Sequence, residues 1–586
     1  MKPAIGPAGA GIIWLFLMGI QAVPAAPDLT TLPPVTDAML EKPDPSDWLM
    51  WRRTHDSQGY SPLDQITTGN VARLEQVWSR KMVEGGMQEG TPLVYQGALF
   101  MPNPNDVIEA LDAATGEVLW EHRRALPEDL ADFIGAPGTN RNLAIYDRYI
   151  IDTSNDDFIF ALDAATGKTA WETRILDYKE QPAQQSSGPI IIRGLAVSGR
   201  GCFPTGGPTA CVITAHDAKT GKEVWRFHNI QRPGEGEDTW GGVPYEDRWH
   251  VGAWMMPSYD PALDLIYMGT SVSAPGPKFL LGGNDQEHLY HNSTLALRPA
   301  TGELAWHYQH LIDHWDLDHP FERILVDTAV APDAEAVAWI NPRIKPGERR
   351  KVLSGIPGKN GVIYTLDRET GEFLWARPTV RQNVVGSIDG ATGKATVNPE
   401  ALFTAAGQKH LICPSNCGGK MWLAGSYSPA TNLMYHPLQN TCMNSEVTIS
   451  KRDKEALYGV KNSPILAPGV TDLGTLQAFS LETGKTVWTH SQRAAMTSVV
   501  ATGGGLIFGG DAAGKFRAFD AASGAVLWET DLGAPVTGYP VSFAANGRQY
   551  VAVSTGYSVT TMCLLRLTPE VKPGDEHRLF VFALPE

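Results

Sequence analysis

A short phrase that recurs seven times along the chain constrains the fold more than any other feature. In each copy an apolar strand ends at or beside a polar turn, the turn closes on Gly, and a new strand carries Trp. The copies are Ala110–Trp120 (ALDAATGEVLW), Ala161–Trp171, Ala215–Trp225, Ala296–Trp306, Thr365–Trp375, Ala478–Trp488 and Ala518–Trp528. Glycine supplies the positive φ that such a hairpin needs, and Trp is large enough to pack between neighbouring units. A unit of this size cannot bury its own apolar face, so the pattern predicts a β-propeller.

The spacing of the phrases predicts eight blades. A four-stranded blade takes about 40–50 residues, whereas the sixth phrase begins 113 residues after the fifth. We therefore expect a hidden unit in that gap, with candidate strands around Met421–Leu438, and an all-β, eight-bladed propeller. Two other gaps, of 81 and 69 residues, must contain long loops, which is where function usually lies on a rigid scaffold.

The ends of the chain and its charge indicate where the protein works. Lys2, the apolar run Ala10–Ile20 and the small residues after it predict a secretory signal peptide over residues 1–26, and thus a periplasmic protein; an uncleaved anchor is the alternative. We expect a Pro-rich linker over 27–47, the propeller over 48–565 and a C-terminal tail over 566–586. The net charge of −16 argues against a nucleic-acid partner, and we expect no integral membrane span in the mature chain.

Six cysteines suit disulfides in an exported protein. Cys202 and Cys211 flank a Gly- and Pro-rich loop and are predicted to pair with each other. Spacing alone leaves the pairing open among Cys413, Cys417, Cys442 and Cys563. No Cys-x-x-Cys-His sequence is present, so we expect no covalently attached haem.

The 69-residue gap contains the most unusual polar segment, His310–Glu322 (HLIDHWDLDHPFE). On extended backbone Asp316 and Asp318 point to the same side, so both carboxylates can converge on one cation. One of them can also act as a general base. A solvated acidic loop is the alternative interpretation of this segment.

Three isolated residues suggest a ligand of particular chemistry. Trp254 follows HVGA, Arg141 lies in GTNRNLAIYD, and Lys359 lies in GIPGKNGVIYTLD. An aromatic ring with two cations in apolar or Gly-rich surroundings suits a flat, polyanionic, aromatic ligand. Taken singly, each residue is equally compatible with a core Trp or a surface cation.

Several segments together resemble the quinoprotein alcohol dehydrogenases, the methanol and ethanol dehydrogenase family. They are the repeated phrase, Ser61–Trp78, Met87–Val94 (MQEGTPLV), the sequence HWDLD and KNGVIYTLDRETGEFLW. The resemblance extends from about Trp48 to Gly556. Members of that family are eight-bladed propellers that bind pyrroloquinoline quinone (PQQ) and usually Ca²⁺ or a lanthanide. The resemblance implies a PQQ-dependent alcohol dehydrogenase without a cytochrome c domain, which oxidises an alcohol to an aldehyde or ketone and passes electrons to a separate soluble cytochrome c or similar acceptor.

The resemblance also implies roles for individual residues. Asp316 matches the catalytic aspartate, and Asp316 and Asp318 match metal ligands. Residues that match cofactor contacts are Glu89, Arg141, Thr153 (or Ser154), Ser198, Gly199, Trp254 and Lys359. Cys413 and Cys442 match a family disulfide, which leaves Cys417 and Cys563 without an assigned partner.

The chain departs from the family pattern at several positions. The family's adjacent-cysteine disulfide falls on Gly135–Ala136, its metal-binding Glu near Gly201, its metal-binding Asn on Val272, and a quinone-contacting Asn on Met421. Two of three usual protein ligands to the metal are therefore replaced. One alternative is a non-catalytic propeller of PQQ-like repeats that acts as a protein-interaction scaffold. Another is a metal-dependent hydrolase that uses Asp316, Asp318 and His314 or His319.

Overall fold

The computed structural model describes residue 1 and residues 26–134, 138–451 and 458–586. Most of the predicted signal peptide and the Gly135–Ala136 position lie outside the described residues. Antiparallel strands dominate the rest. The protein is therefore of the all-β class that the repeats predict.

Eight sheets of four or five strands account for most of the described chain. Sheets A to D are formed by Leu93–Tyr95, Ala98–Asn103, Val107–Asp112 and Val118–Arg123 (A); Ala144–Tyr146, Tyr149–Thr153, Phe158–Asp163 and Thr169–Arg174 (B); Ile190–Ile192, Leu195–Gly199, Val212–Asp217 and Glu223–His228 (C); Ser258–Asp260, Leu265–Gly269, Ser293–Leu297 and Leu304–Gln309 (D). Sheets E to H are formed by Ile324–Val330, Glu348–Gly355, Val362–Asp367, Phe373–Pro378 and Trp339–Ile340 (E); Ser426–Ser428, Leu433–Gln439, Gly474–Ser480 and Thr486–Gln492 (F); Met496–Thr502, Leu506–Asp511, Lys515–Asp520, Val526–Asp531 and the parallel Tyr60–Ser61 (G); Val541–Ala545, Arg548–Thr555, Arg578–Ala583 and Glu75–Lys81 (H). The eight-blade count stays a prediction, and these eight sheets are what supports it.

The eighth sheet is not where the spacing places it. The strands of the predicted hidden unit, Ser426–Ser428 and Leu433–Gln439, pair with Gly474–Ser480 and so belong to the sheet that carries the sixth phrase. Sheet H instead joins the two ends of the chain, because Glu75–Lys81 pairs with Arg578–Ala583. The predicted position of the hidden unit is wrong, because the strands of sheet H come from segments at opposite ends of the sequence. Sheet H also includes residues beyond 565, where the sequence predicts a tail.

The repeated Trp residues link each sheet to the next. Trp120 of sheet A donates its indole N–H to Ala164 O in the sheet B phrase, and Trp488 of sheet F donates to Ala521 O in sheet G. The indole N–H of Trp528 in sheet G donates to Leu74 O, and that of Trp78 in sheet H donates to Ala113 O. These contacts pass from sheet H back to sheet A, so the sheets close into a ring.

The order of the strands separates the connections onto two faces. In an antiparallel meander the first-to-second and third-to-fourth connections lie at one end, and the second-to-third connections and those entering the next sheet lie at the other. The repeated phrase is the third-to-fourth hairpin, as Val107–Asp112 and Val118–Arg123 show. We call the face with these turns the phrase face and the opposite one the loop face. The long loops of the 81-residue gap fall on the loop face, and so does the segment from Gln309 to Ile324 in the 69-residue gap. The connection over residues 331–347 joins the first two strands of sheet E and lies on the phrase face.

Smaller elements cover the ring. Helices are Asp37–Glu41, Leu130–Phe133 and Val559–Leu565, with 3₁₀ turns at Leu29–Thr31, Val71–Arg73, Pro204–Gly206, Tyr245–Asp247, Lys278–Leu280 and Pro399–Ala401. Three small sheets pair Ala183–Gln184 with Gly201–Cys202, Val385–Ile388 with Ala395–Val397, and Lys409–Ile412 and Val460–Leu466 with Thr441–Val447. No helix in the described ranges has the length and apolar character needed to cross a membrane.

The segment predicted as a linker packs against the ring. Leu29, Val35 and Leu40 are buried, and Val35 forms a bridge with Asp147 beside sheet B. The Tyr95 hydroxyl donates to Pro33 O over 2.9 Å. Residues 27–47 therefore contribute to the folded body rather than leading freely away from it.

All six cysteines form disulfides. Cys202–Cys211 and Cys413–Cys442 are present, which confirms both predicted pairs. The two unassigned cysteines pair with each other, Cys417 with Cys563. This third disulfide ties the connection between sheets E and F to the helix Val559–Leu565.

Candidate active site

A cavity of about 360 Å³ opens on the loop face. Its walls come from connections of every sheet except G, which places it near the centre of the ring. Residues lining it are Met87, Thr139, Arg141, Gln184, Ser186, Gly201, Cys202, Phe203, His250, Trp254, Ser271, Asp316, Asp318, Lys359, Met421, Trp422, Tyr458 and Val559. The volume lies in the range of small-molecule sites.

Two carboxylates and one ammonium group form the polar wall of the cavity. The Lys359 Nζ lies 2.7 Å from Asp316 Oδ1 and 2.9 Å from Asp318 Oδ2. The Lys359 backbone N–H also donates to Asp318 O over 2.9 Å, which fixes the lysine against the aspartate loop. The structure therefore brings Lys359 against Asp316 and Asp318, which are close to each other in the sequence but far from Lys359.

Asp313 sets the backbone of the aspartate loop. Its carboxylate accepts the backbone N–H groups of Trp315, Asp316 and Leu317 at 2.9–3.1 Å. Asp316 itself has φ +72°, a left-handed conformation that is uncommon for a residue other than Gly. The turn that Asp313 holds thus aims the Asp316 side chain into the cavity.

Burial and Lys359 have opposite effects on the two carboxyl groups. Burial raises the pKa of Asp316 to about 7 even though Lys359 lowers it, and the neighbouring Asp318 raises it further. Burial also tends to raise the pKa of Asp318, but Lys359 and His250 outweigh this effect, so that pKa is lowered. The two aspartates raise the pKa of Lys359 against the effect of burial, so it is an ammonium at neutral pH. Asp316 is therefore the carboxyl group that can exchange a proton near neutral pH.

Arg141 and two Trp residues form another part of the cavity wall. The Arg141 guanidinium carbon lies 5.3 Å from the Trp254 ring centroid and 4.9 Å from that of Trp422. Its Nη1 donates to Ser186 Oγ over 2.6 Å, and its Nη2 forms a 2.8 Å ion pair with the fully buried Glu89. Burial raises the pKa of Glu89 although Arg141 opposes the rise. Glu89 thus lies behind Arg141 and orients it.

Besides Glu89, three further predicted cofactor contacts lie outside the cavity wall. Thr153 is buried and its hydroxyl donates to Ser187 O, and Ser198 and Gly199 are in the second strand of sheet C. A Cβ atom added to Gly199 would lie 2.2 Å from Ala253 O, so Gly is needed there for close packing. The described lining of the cavity contains none of the three, and it contains Gly201 instead. Their cofactor roles stay predictions.

Several wall residues were missed from the sequence. Trp422, Phe203, His250 and Tyr458 line the cavity, and Tyr458 forms a hydrogen bond with Asp316. All four come from irregular connections whose paths no periodicity specifies. Trp422 is the one that the sequence could most readily have indicated, because it directly follows Met421, which the resemblance aligns with a quinone contact.

Fold and cavity define a propeller with a central small-molecule site, and comparisons with known proteins agree. The family model described as the PQQ "Glucose/ethanol/alcohol dehydrogenase, beta-propeller domain" matches residues 48–399 and 470–551, which is well over half of the chain. The chain belongs to this family of PQQ-dependent dehydrogenases.

Individual relatives cover nearly the whole chain. "Alcohol dehydrogenase (quinone), dehydrogenase subunit" of Komagataeibacter europaeus is 30% identical over 554 residues, 88% of this chain and 72% of the relative. The solved quinohemoprotein alcohol dehydrogenase ADHIIG of Pseudomonas putida HK5 superposes with a TM-score of 0.82 at 28% identity, over 94% of this chain and 82% of that one. A europium-containing methanol dehydrogenase superposes with a TM-score of 0.82 at 28% identity, over 93% of this chain and 99% of that one.

The cavity suits an anionic aromatic cofactor such as PQQ. The Trp254 and Trp422 rings border it, and the Nε of Arg141 and the indole nitrogen of Trp422 are buried without a hydrogen-bond partner in the described part of the protein. An unpartnered buried guanidinium N–H at an aromatic wall is a donor for a carboxylate or carbonyl oxygen. The residues on this side of the cavity therefore fit the group that the family implies.

Proposed function

We propose that this protein is an exported PQQ-dependent dehydrogenase that oxidises an alcohol to the corresponding aldehyde or ketone. The observation that carries the proposal is one cavity lined both by Arg141 with Trp254 and by Asp316 with Lys359. Family membership supports the same chemistry.

Binding of PQQ is assigned to the residues that border the cavity. Trp254 provides an aromatic surface, while Arg141 and Lys359 provide positive charge for carboxylate and carbonyl oxygens. Glu89 orients Arg141 from behind. Thr153, Ser198 and Gly199 belong to the buried layer that supports these groups.

Asp316 is the base in the proposed reaction. Its ionised carboxylate takes the hydroxyl proton of the alcohol, and the Lys359 hydrogen bond and the turn held by Asp313 keep the carboxylate in place. Bound PQQ would supply the acceptor for the hydride that leaves the alcohol carbon. Trp254, Trp422 and Phe203 give this part of the cavity an apolar lining around the reacting carbon.

The N-terminal sequence and the three disulfides support an exported setting for the reaction. A signal peptide over residues 1–26 would deliver the protein to the periplasm, where the three disulfides are stable. Because the sequence has no haem-attachment motif, we propose that a separate soluble cytochrome c or similar carrier reoxidises the enzyme.

Reconstitution tests the proposal. The purified mature chain is incubated with PQQ, and reduction of an artificial dye is followed with primary, secondary and aromatic alcohols. We expect dye reduction that requires both PQQ and an alcohol. Asp316→Asn should still take up PQQ, measured from its absorbance after gel filtration, but should not reduce the dye.

The matched control is Asp64→Asn, the same substitution at an exposed residue on the phrase face. It should retain the activity of the wild-type protein. Failure of the wild-type protein to take up PQQ under any condition would contradict the proposal and would favour the scaffold alternative.

A further inference from the structure

The residues of this chain do not form the usual protein site for a hard metal ion. The family ligands Glu and Asn correspond to Gly201, which has no side chain, and to Val272, whose backbone N–H donates to Asp318 Oδ1 over 3.2 Å. Ca²⁺ takes six to eight oxygen ligands. In the described ranges no group of three or more His, Cys, Asp or Glu side chains is placed to hold a metal ion.

A different cation already lies between the two remaining carboxylates. Lys359 Nζ donates to both Asp316 and Asp318, and the Lys359 side chain is only 7% exposed. The backbone is fixed on both sides, since Lys359 N–H donates to Asp318 O and Lys359 O accepts the N–H of Gly419 at 2.8 Å. The ammonium group is therefore held in this position by the main chain as well as by charge.

We infer that the Lys359 ammonium takes the place of the resident metal ion of the family. It is the cation that compensates Asp316 and Asp318, and the chain binds PQQ without Ca²⁺ or a lanthanide. The second half of this inference rests on the proposed function, whereas the first half concerns only the carboxylate pair.

The ammonium group and a metal ion would compete for the same two carboxylates, those of Asp316 and Asp318. A metal ion that bridged the carboxylates would have to break two charge-assisted hydrogen bonds and leave the buried ammonium unpaired, which is unfavourable. Removing the ammonium has the opposite effect, because two adjacent carboxylates then repel each other and attract a hard cation. The wild-type site should therefore be a poor metal site, and loss of the Lys359 charge should improve it.

Terbium luminescence measures metal occupancy without any enzyme turnover. Trp254 and Trp422 border the cavity, so excitation of Trp sensitises Tb³⁺ that binds beside Asp316 and Asp318. We expect no saturable Asp318-dependent signal from the full mature chain, and a saturable one from Lys359→Gln with affinity at least about tenfold higher. Asp318→Asn in each background identifies the signal that comes from this site among the surface carboxylates.

The matched control is Lys394→Gln, the same substitution at a lysine that is 71% exposed and paired with Glu287. It should behave like the wild-type protein. Saturable Tb³⁺ binding to the wild-type chain that Asp318→Asn abolishes would overturn the inference.

A second measurement needs no variant. PQQ is titrated into the wild-type protein in a metal chelator, and the affinity is compared with that in Ca²⁺ or La³⁺. Uptake of PQQ with the same affinity in the chelator supports the inference. Uptake only with a metal overturns the inference but keeps the proposed function, whereas no uptake under any condition contradicts the proposed function and leaves the Tb³⁺ result to decide the role of Lys359.

Discussion

The phrase face and the loop face are built on the same strands and differ in their connections. On the phrase face, short turns close on Gly and pack under the Trp of the preceding sheet, as at Gly167 and Trp120. On the loop face, connections of unequal length supply Arg141, Trp254, Asp316 and the rest of the cavity wall. The repeated turns therefore determine how the ring closes, while the irregular connections determine what it binds.

Buried ion pairs occur on both faces, and Arg368 with Asp260 is one on the phrase face. Glu89 and Arg141, and Lys359 with Asp316, are buried pairs on the loop face. A buried ion pair adds little net stability, because removing the two charges from water costs about as much as their attraction gains. The pairs at the cavity are therefore better explained by binding and catalysis. If this division is correct, changes on one face should affect activity and changes on the other should affect stability.

The largest expected effect is the loss of activity on the loop face. Asp316→Asn should lower kcat by about 10²- to 10⁴-fold, because an amide cannot accept the alcohol proton. The melting temperature should stay close to that of the wild-type protein, since Lys359 keeps its contact with Asp318. Wild-type turnover in this variant would remove Asp316 from the mechanism.

The phrase face should show the reverse behaviour. Trp375 is fully buried and packs against Gly484 of the next sheet. Trp375→Ala should lower the free energy of unfolding by about 3–5 kcal/mol, measured by denaturant unfolding, while kcat of the folded fraction stays unchanged. Val487→Ala, at a side chain that is 51% exposed in the adjoining sheet, should have an effect within about 0.5 kcal/mol. A loss of kcat in Trp375→Ala without a loss of stability would break the division between the faces.

A pair of glycines isolates the docking contact itself. Gly97 and Gly116 have similar φ values of +81° and +78°, but an added Cβ meets nothing within 4 Å at Gly97 and lies 2.6 Å from the Trp78 ring at Gly116. Gly97→Ala should cost about 1–2 kcal/mol for the left-handed backbone. Gly116→Ala should cost more than that in the same unfolding experiment, and equal costs would show that the Trp contact contributes little.

The smallest effect concerns pH. Because burial raises the pKa of Asp316 to about 7, the base is protonated in acid, and kcat/KM should fall as the pH decreases below about 7. Lys359 lowers this pKa, so Lys359→Gln should move the fall to higher pH. A profile that is flat between about pH 5 and 9 would exclude a single essential carboxyl base with this pKa.

The sequence predicts the phrase face well and the loop face poorly, for a physical reason. Each phrase is a local hairpin, so the strand ends, the Gly turn and the docked Trp can be inferred from one short segment. Sheet H joins Glu75–Lys81 to Arg578–Ala583, and no local pattern indicates which distant segments will pair. That is why the hidden unit was placed at Met421–Leu438.

The site shows the same limit. The local sequence singles out Asp316, Lys359, Arg141 and Trp254, the family resemblance gives them roles, and the structure brings all four to one cavity. The bridging of both aspartates by Lys359 could not be predicted, because it depends on how the connection after the second strand of sheet E folds over the aspartate loop. Residues such as His250 and Tyr458 belong to no motif at all.

A crystal structure of the PQQ-reconstituted protein tests the central claim most directly. The account predicts PQQ in the cavity on the loop face, with its ring against Trp254 and an anionic edge within hydrogen-bonding distance of Arg141. Electron density for PQQ elsewhere on the protein, or none at a saturating concentration of PQQ, would contradict it.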